Sequence, residues 1–145
     1  MQNDIREDDA NFKMNPPLRS REDVEALRKG LKDGVMDVIA TDHAPHGEEE
    51  KSQSMMDAPF GIVGLETSAA LTYTELVKTG ILSIMDMAEK MSYNPAKILG
   101  LAEKGSVSEE MDADLVVFDP KRIYRIDKTT FFVERKKYTF LTDGK

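Results

Sequence analysis

Cysteine is absent from this chain of 145 residues, so it forms no disulfide and offers no thiolate to a metal. That composition suits a reducing compartment. Long apolar runs are missing too, and no stretch approaches the ~20 residues that a membrane helix needs. The opening residues, MQNDIREDDANFK, lack the apolar core of a signal peptide. Nor is there a basic run, and the formal net charge of −7 argues against nucleic acid as a partner. Histidine is scarce, and both of its occurrences, His43 and His46, fall in one short segment. These absences lead to the expectation of a soluble, cytoplasmic protein with no nucleic-acid or membrane partner.

What is present suffices for one domain with a modest core. Pro16 and Pro17 keep NFKMNPPLR out of helix and push Asn15 towards an extended backbone. Ser20, with Asp23 three residues on, makes a near capping box ahead of a predicted helix, and Gly34 is a natural stop. Val24, Leu27 and Leu31 then share one face. VMDVIA, Val35 to Ala40, is short, β-branched and mostly apolar, and reads as a buried strand of a parallel sheet. The stretch from Thr41 to Pro59 is polar, aperiodic and long for a connecting loop.

Further helices are predicted from Leu65 to Thr79, with Leu65, Ala69, Leu76 and Val77 inward and Gly80 closing, and from Ser83, boxed by Asp86, to about Met91. A short one follows in NPAKILGL, with Asn94 as N-cap, Pro95 at the first position and Gly100 as the stop. After Gly105 the texture changes. ADLVVFDP and RIYRID are short β-rich runs separated by an Asp119–Pro120 turn, which points to a small β element outside the α/β unit.

The segment IATDHAPHGEEEK sets Asp42, His43 and His46 just beyond the predicted strand. The C-terminal ends of parallel strands open onto the binding crevice, so reactive groups gather there. A carboxylate in that place can bind a cation or act as a general base. Pro45 prevents an ordinary helical turn, so the spacing of the histidines is not that of a shared helix face. One carboxylate and two imidazoles are too few to fix a metal. The competing reading is a loop whose aspartate caps a turn and whose histidines are solvated.

GEEEK, residues 47–51, reads as a solvated charge run. In APFGIVG, Gly61 and Gly64 permit close backbone approach and Phe60 offers an aromatic wall, though the segment reads equally well as a tight turn before a helix. Met55, Met56, Met85, Met87 and Met91 read as core filler and surface scatter.

NFKMNPPLR, DVIATDHAPH, APFGIVGLETS, NPAKILGL and DADLVVFDP, in this order and at these spacings, resemble the C-terminal part of a bacterial-type dihydroorotase. That family belongs to the zinc amidohydrolases. The resemblance runs from about Asp4 to the early 120s and weakens after Ile126. Related cyclic amidohydrolases resemble the same region but usually differ at the last histidine of TDHAPH.

The fold class so implied is α/β, a C-terminal fragment of a (β/α)8 barrel followed by part of a small β element. Residues 1–105 hold the last strand and helices of the barrel, and residues 106–145 a partial accessory β segment. A closed eight-stranded barrel needs roughly 200 residues or more, so this chain does not close one alone. The resemblance also implies roles. Asp42 matches the aspartate at the end of the eighth strand, which touches one zinc and shuttles the proton. Asn15 and His46 match substrate-contacting positions, and Phe60 and Gly61 a segment that closes over the substrate ring. The implied reaction is the reversible cyclisation of N-carbamoyl-L-aspartate to dihydroorotate in pyrimidine biosynthesis, with zinc as cofactor. The implied partners are that small-molecule substrate and a homo-oligomer or a completing chain.

The departures from the family pattern shape the expectation. Family members draw most zinc ligands from earlier strands, as a His-x-His pair, a further carboxylate and two more histidines, and this chain contains none of them. The glycine usual four residues before DLVV is also missing, and the stretch reads SEEMDADLVV. Such a chain is expected to be inactive alone. The alternatives are a non-catalytic amidohydrolase-like interaction module and a fragment of another cyclic amidohydrolase.

Overall fold

The computed structural model describes residues 1–6, 8–127 and 131. Five α-helical elements occur among them: α1 (Arg21–Lys32), α2 (Glu48–Lys51), α3 (Ser68–Thr72), α4 (Ile84–Ala88) and α5 (Asn94–Ile98). Backbone contacts group the chain into two compact units. One comprises residues 1–25, 41–68 and 124–145, and the other residues 26–40 and 69–123.

Helix starts follow the local chemistry of the sequence. At α1 the Ser20 hydroxyl accepts the Asp23 N–H at 3.2 Å while the Asp23 carboxylate accepts the Ser20 N–H at 3.2 Å. Ser83 and Asp86 repeat this at α4, with bonds of 3.1 and 2.7 Å. Each exchange satisfies two donors that a helix start leaves orphaned. Helix stops are equally local. Gly34, Gly80 and Gly100 take left-handed φ of 74°, 76° and 71°. In each case the glycine N–H bonds three residues back and the next N–H five back, as in Val35 N–H to Gly30 O at 2.9 Å. This closure returns N–H donors to the last carbonyls of the helix.

The helices are less regular than their caps. α3 continues into a wide, π-type turn over Tyr73–Val77, and α4 into another over Glu89–Tyr93 that leads directly into α5. Asn94 therefore caps nothing. Its φ of −63° and ψ of −44° are helical, and the wide turn delivers the chain to Pro95, which has no N–H for a regular turn. Leu65 lies in the turn ahead of α3 and is exposed, as is Ala69, so the inward set shrinks to the half-buried Leu76 and Val77. Burial is thin in both units. Ala10, Ala58 and Val63 form the apolar centre of the first, and Leu82, Met87 and Ala96 that of the second.

The predicted strands are not formed among the described residues. Pairing there reduces to one parallel bridge between His43 and Ile62. A strand exists only through a neighbour's ladder. The main-chain groups of residues 35–40 are instead met one by one. Met36 O accepts the Lys90 ammonium at 2.5 Å, Asp37 O accepts the Asn94 amide at 2.9 Å, and Ile39 N–H reaches Lys90 O at 3.0 Å. Val35 is 75% exposed, so the segment is neither paired nor buried as expected.

ADLVVFDP likewise forms no strand, and Val116 and Val117 are exposed. The Asp119–Pro120 turn is present, with the Asp119 carboxylate accepting the Lys121 N–H at 2.9 Å. Before it, Glu110 stands four residues ahead of DLVV and takes a left-handed φ of 67°. The part of the accessory β segment expected beyond residue 127 lies outside the described residues, Phe131 apart.

Candidate functional site

Every candidate residue lies in the unit that contains residues 1–25 and 41–68. Three stretches build the site: the turn that precedes Asn15, the TDHAPH segment, and residues 58–65. Main-chain bonds lace them together. Gly61 N–H donates to Lys13 O at 3.1 Å, and Ala44 N–H to Ile62 O at 2.9 Å. The Lys13 ammonium donates to Met56 O at 2.9 Å and sits 4.8 Å from the centre of the Phe60 ring.

Both histidines are half-buried and hydrogen-bonded, which corrects the reading of a loop with solvated imidazoles. His43 Nδ1 accepts the N–H groups of Gly64 and Leu65 at 3.1 and 3.2 Å. Accepting two donors places the ring proton on Nε2. His46 Nε2 lies 2.7 Å from Phe60 O, and because a carbonyl only accepts, that nitrogen carries a proton. The other face of His46 looks towards Glu50, whose Oε2 is 3.8 Å from Nδ1.

The close backbone approach expected in APFGIVG is real. Gly61 has φ of 133°, and a Cβ there would stand 2.7 Å from Ala44 Cβ, 2.8 Å from Ala44 O and 2.9 Å from His46 Nε2. At Gly64 a Cβ would meet Thr41 O at 3.1 Å. Glycine lets the two segments touch.

The sequence-predicted residues divide into two sets. His46, Phe60 and Gly61 are brought together in this clamp. Asn15 and Asp42 are exposed on adjoining stretches, and among the described residues no hydrogen bond or ion pair holds the Asp42 carboxylate. Asp42 is nonetheless conformationally distinctive, with a left-handed φ of 44° that aspartate tolerates better than most residues. Lys51 was missed. It is buried, and its ammonium meets three main-chain oxygens, so the GEEEK run is not solvated at its last member.

Among the described residues no three His, Asp or Glu side chains are grouped so as to hold a metal ion. His43 Nδ1 accepts main-chain N–H groups, whereas His46 donates from Nε2 to a main-chain oxygen and keeps its Nδ1 lone pair, so Asp42 and that nitrogen are the donors left to a metal. These residues do not make a metal centre by themselves.

The profile of the amidohydrolase family matches residues 8–144. The chain is 49% identical over 139 residues to a dihydroorotase of Bacillus cytotoxicus, a match covering 96% of this chain and 32% of that one. A dihydroorotase of Bacillus licheniformis is 51% identical over 132 residues, covering 91% and 31%. The chain thus spans about a third of the length of these curated relatives. Among solved structures, a D-hydantoinase (dihydropyrimidinase) from Thermus sp. superposes with a TM-score of 0.77 at 34% identity, over 83% of this chain and 27% of that one. An L-hydantoinase from Arthrobacter aurescens gives 0.66 at 35% identity, over 70% and 23%. These neighbours are (β/α)8-barrel enzymes, and no described helix of this chain is long and apolar enough to cross a membrane. With that profile matched over nearly its whole length, this chain belongs to the amidohydrolase family.

Proposed function

We propose that this chain forms one wall of a cytoplasmic dihydroorotase, with residues 1–105 as the barrel portion and residues 106–145 as a partial accessory segment. The observation that carries the reading is the clamp itself. His46 and the Phe60–Gly61 peptide form one hydrogen-bonded unit, in a chain about half identical to curated dihydroorotases. Asn15, His46, Phe60 and Gly61 bind the substrate. Asp42 moves the proton. In ring opening its carboxylate takes a proton from the attacking water and returns it to the leaving amide nitrogen. Cyclisation of N-carbamoyl-L-aspartate runs the same transfers backwards. One carboxylate serves as base in one half-step and acid in the next. In the complete enzyme Asp42 would be this chain's ligand to zinc, which would supply Lewis-acid polarisation of the amide carbonyl. Alone, the chain is inactive.

The structural likeness to hydantoinases favours a second reading, a cyclic amidohydrolase acting on another ring amide. Higher identity to the dihydroorotases ranks it second. One experiment separates the two. This chain is grafted in place of the matching 139 residues of the Bacillus cytotoxicus dihydroorotase and assayed with dihydroorotate, hydantoin and dihydrouracil. Turnover of dihydroorotate well above the other two supports the first reading. Preference for hydantoin or dihydrouracil supports the second, and a folded graft without turnover points to a non-catalytic module.

A further inference from the structure

The buried ammonium of Lys51 has a geometry that neither the family match nor the proposed roles account for. Lys51 closes α2 with 6% of its surface exposed. Its Nζ donates to Ala10 O at 3.0 Å, Lys13 O at 3.0 Å and Pro59 O at 2.9 Å. An ammonium has three N–H donors, and among the described residues three main-chain oxygens stand within hydrogen-bond reach of them. Two of those oxygens belong to the stretches that carry candidate substrate contacts. Lys13 is two residues before Asn15, and Pro59 directly precedes Phe60. Lys13 O also accepts the Gly61 N–H at 3.1 Å, so both lone pairs of one carbonyl are taken by the two arms of the clamp.

Burying a cation is costly unless its hydrogen bonds are met. A merely space-filling side chain in this place needs no charge. Three carbonyls converging on one nitrogen from residues 10, 13 and 59 need a cation with tetrahedral donors, and lysine supplies it where arginine's planar fork spreads its donors apart.

We propose that Lys51 is a positioning residue, an ammonium clasp that holds the Asn15 turn and the Phe60–Gly61 segment in register for substrate. Its effect on substrate rests on the dihydroorotase reading, whereas the clasp itself does not. The first arm of the test therefore uses this chain alone. Lys51→Met keeps the length and apolar stem but removes the donors. Hydrogen exchange at Gly61 is expected to accelerate at least tenfold, with amides of α1 unchanged within twofold. Exchange at Gly61 within twofold of the parent overturns the clasp.

The absence of cysteine allows a rescue. Lys51→Cys introduces the sole thiol, and alkylation of the unfolded variant with 2-bromoethylamine builds a thioether side chain ending in an ammonium. After refolding, Gly61 exchange is expected within threefold of the parent, while the unalkylated thiol stays fast. If Lys51→Met does not fold, this comparison decides alone, and failure of the alkylated protein to regain protection overturns the proposal.

The second arm uses the graft described above. There Lys51→Met is expected to raise KM for dihydroorotate at least fivefold with kcat within threefold. A fall in kcat at unchanged KM overturns the positioning role. An inactive parent graft refutes the dihydroorotase reading instead and leaves the exchange result standing.

Discussion

His46 Nε2 lies 2.7 Å from the main-chain oxygen of Phe60, so a side chain expected to meet substrate is already tied to the segment expected to close over it. The bond orients the imidazole and turns Nδ1 towards Glu50, 3.8 Å from its Oε2. Replacing the ring therefore removes two things, a lock on the Phe60 peptide and the proposed polar contact for substrate. In the grafted enzyme, His46→Ala is expected to raise KM for dihydroorotate by roughly 10- to 150-fold, about 1.5–3 kcal/mol for a hydrogen bond to the charged substrate, with a smaller change in kcat. Steady-state kinetics check this. A collapse of kcat at constant KM would contradict a binding role.

Asp42 is expected to behave in the opposite way. Asp42→Asn preserves the side-chain shape, and asparagine accepts the left-handed backbone found here, with φ of 44°. The capacity to take and return a proton is lost, and with it the charge of the proposed zinc ligand, so parent and variant are compared at equal zinc content. The loss of a positioned acid/base typically costs 10²–10⁴-fold, roughly 3–5 kcal/mol of transition-state stabilisation. The grafted variant should lose that much kcat, and retention of more than about a tenth of the parent kcat would remove Asp42 from the proton path.

Legibility from the sequence followed the distance over which each feature is decided. The capping exchanges at Ser20 and Ser83 and the stops at Gly34, Gly80 and Gly100 are settled within a few residues, and all were readable. Val35 to Ala40 has the composition of a strand, but a strand is made by its neighbours, and here single bonds from Lys90 and Asn94 take their place. Lys51 was illegible for a related reason. Its run looks solvated because the carbonyls it meets arrive from as far as 41 residues away. Glycines at 61 and 64 announced a close approach, but not that Ala44, Thr41 and His46 were what approached.

Gly61 sets a steric test. An added Cβ would stand within 2.9 Å of three atoms, one of them the Ala44 carbonyl oxygen, at a φ that side chains rarely adopt. Backbone strain of this kind costs about 1–3 kcal/mol, and overpacking costs a similar amount. Gly61→Ala is expected to destabilise the unit by at least about 2 kcal/mol, read as a lower midpoint in urea. The His46 ring should shift with it, visible as a changed imidazole resonance. An unchanged midpoint would mean that the two segments are not in contact.

Acid should loosen the start of α4. The main-chain N–H of Ser83, and then its hydroxyl, hold the Asp86 carboxyl below its ordinary value of 3.8. A group whose folded value is depressed adds stability above its unfolded value, and loses it as pH falls through the folded one. Exchange protection at the first turn of α4 is therefore expected to be constant near neutral pH and to fall as pH drops below about 4. Asp86→Asn should flatten that response. A variant that keeps the same acid-dependent loss would assign it to another carboxylate.

Glu110 offers the last test, because it occupies the position where related sequences are expected to place glycine. Its φ of 67° is left-handed, and its side chain is exposed. A Cβ in that conformation crowds the following carbonyl oxygen at roughly 1–2 kcal/mol, whereas glycine is free of the clash. Glycine also brings a more flexible unfolded chain, which returns roughly 0.5–1 kcal/mol of the gain. The balance predicts that Glu110→Gly stabilises the chain by up to about 1 kcal/mol, a rare direction for a change to glycine. Chemical denaturation with an unchanged slope is the measurement. Destabilisation by Glu110→Gly would show that the left-handed backbone at this position is not the strained one the geometry indicates.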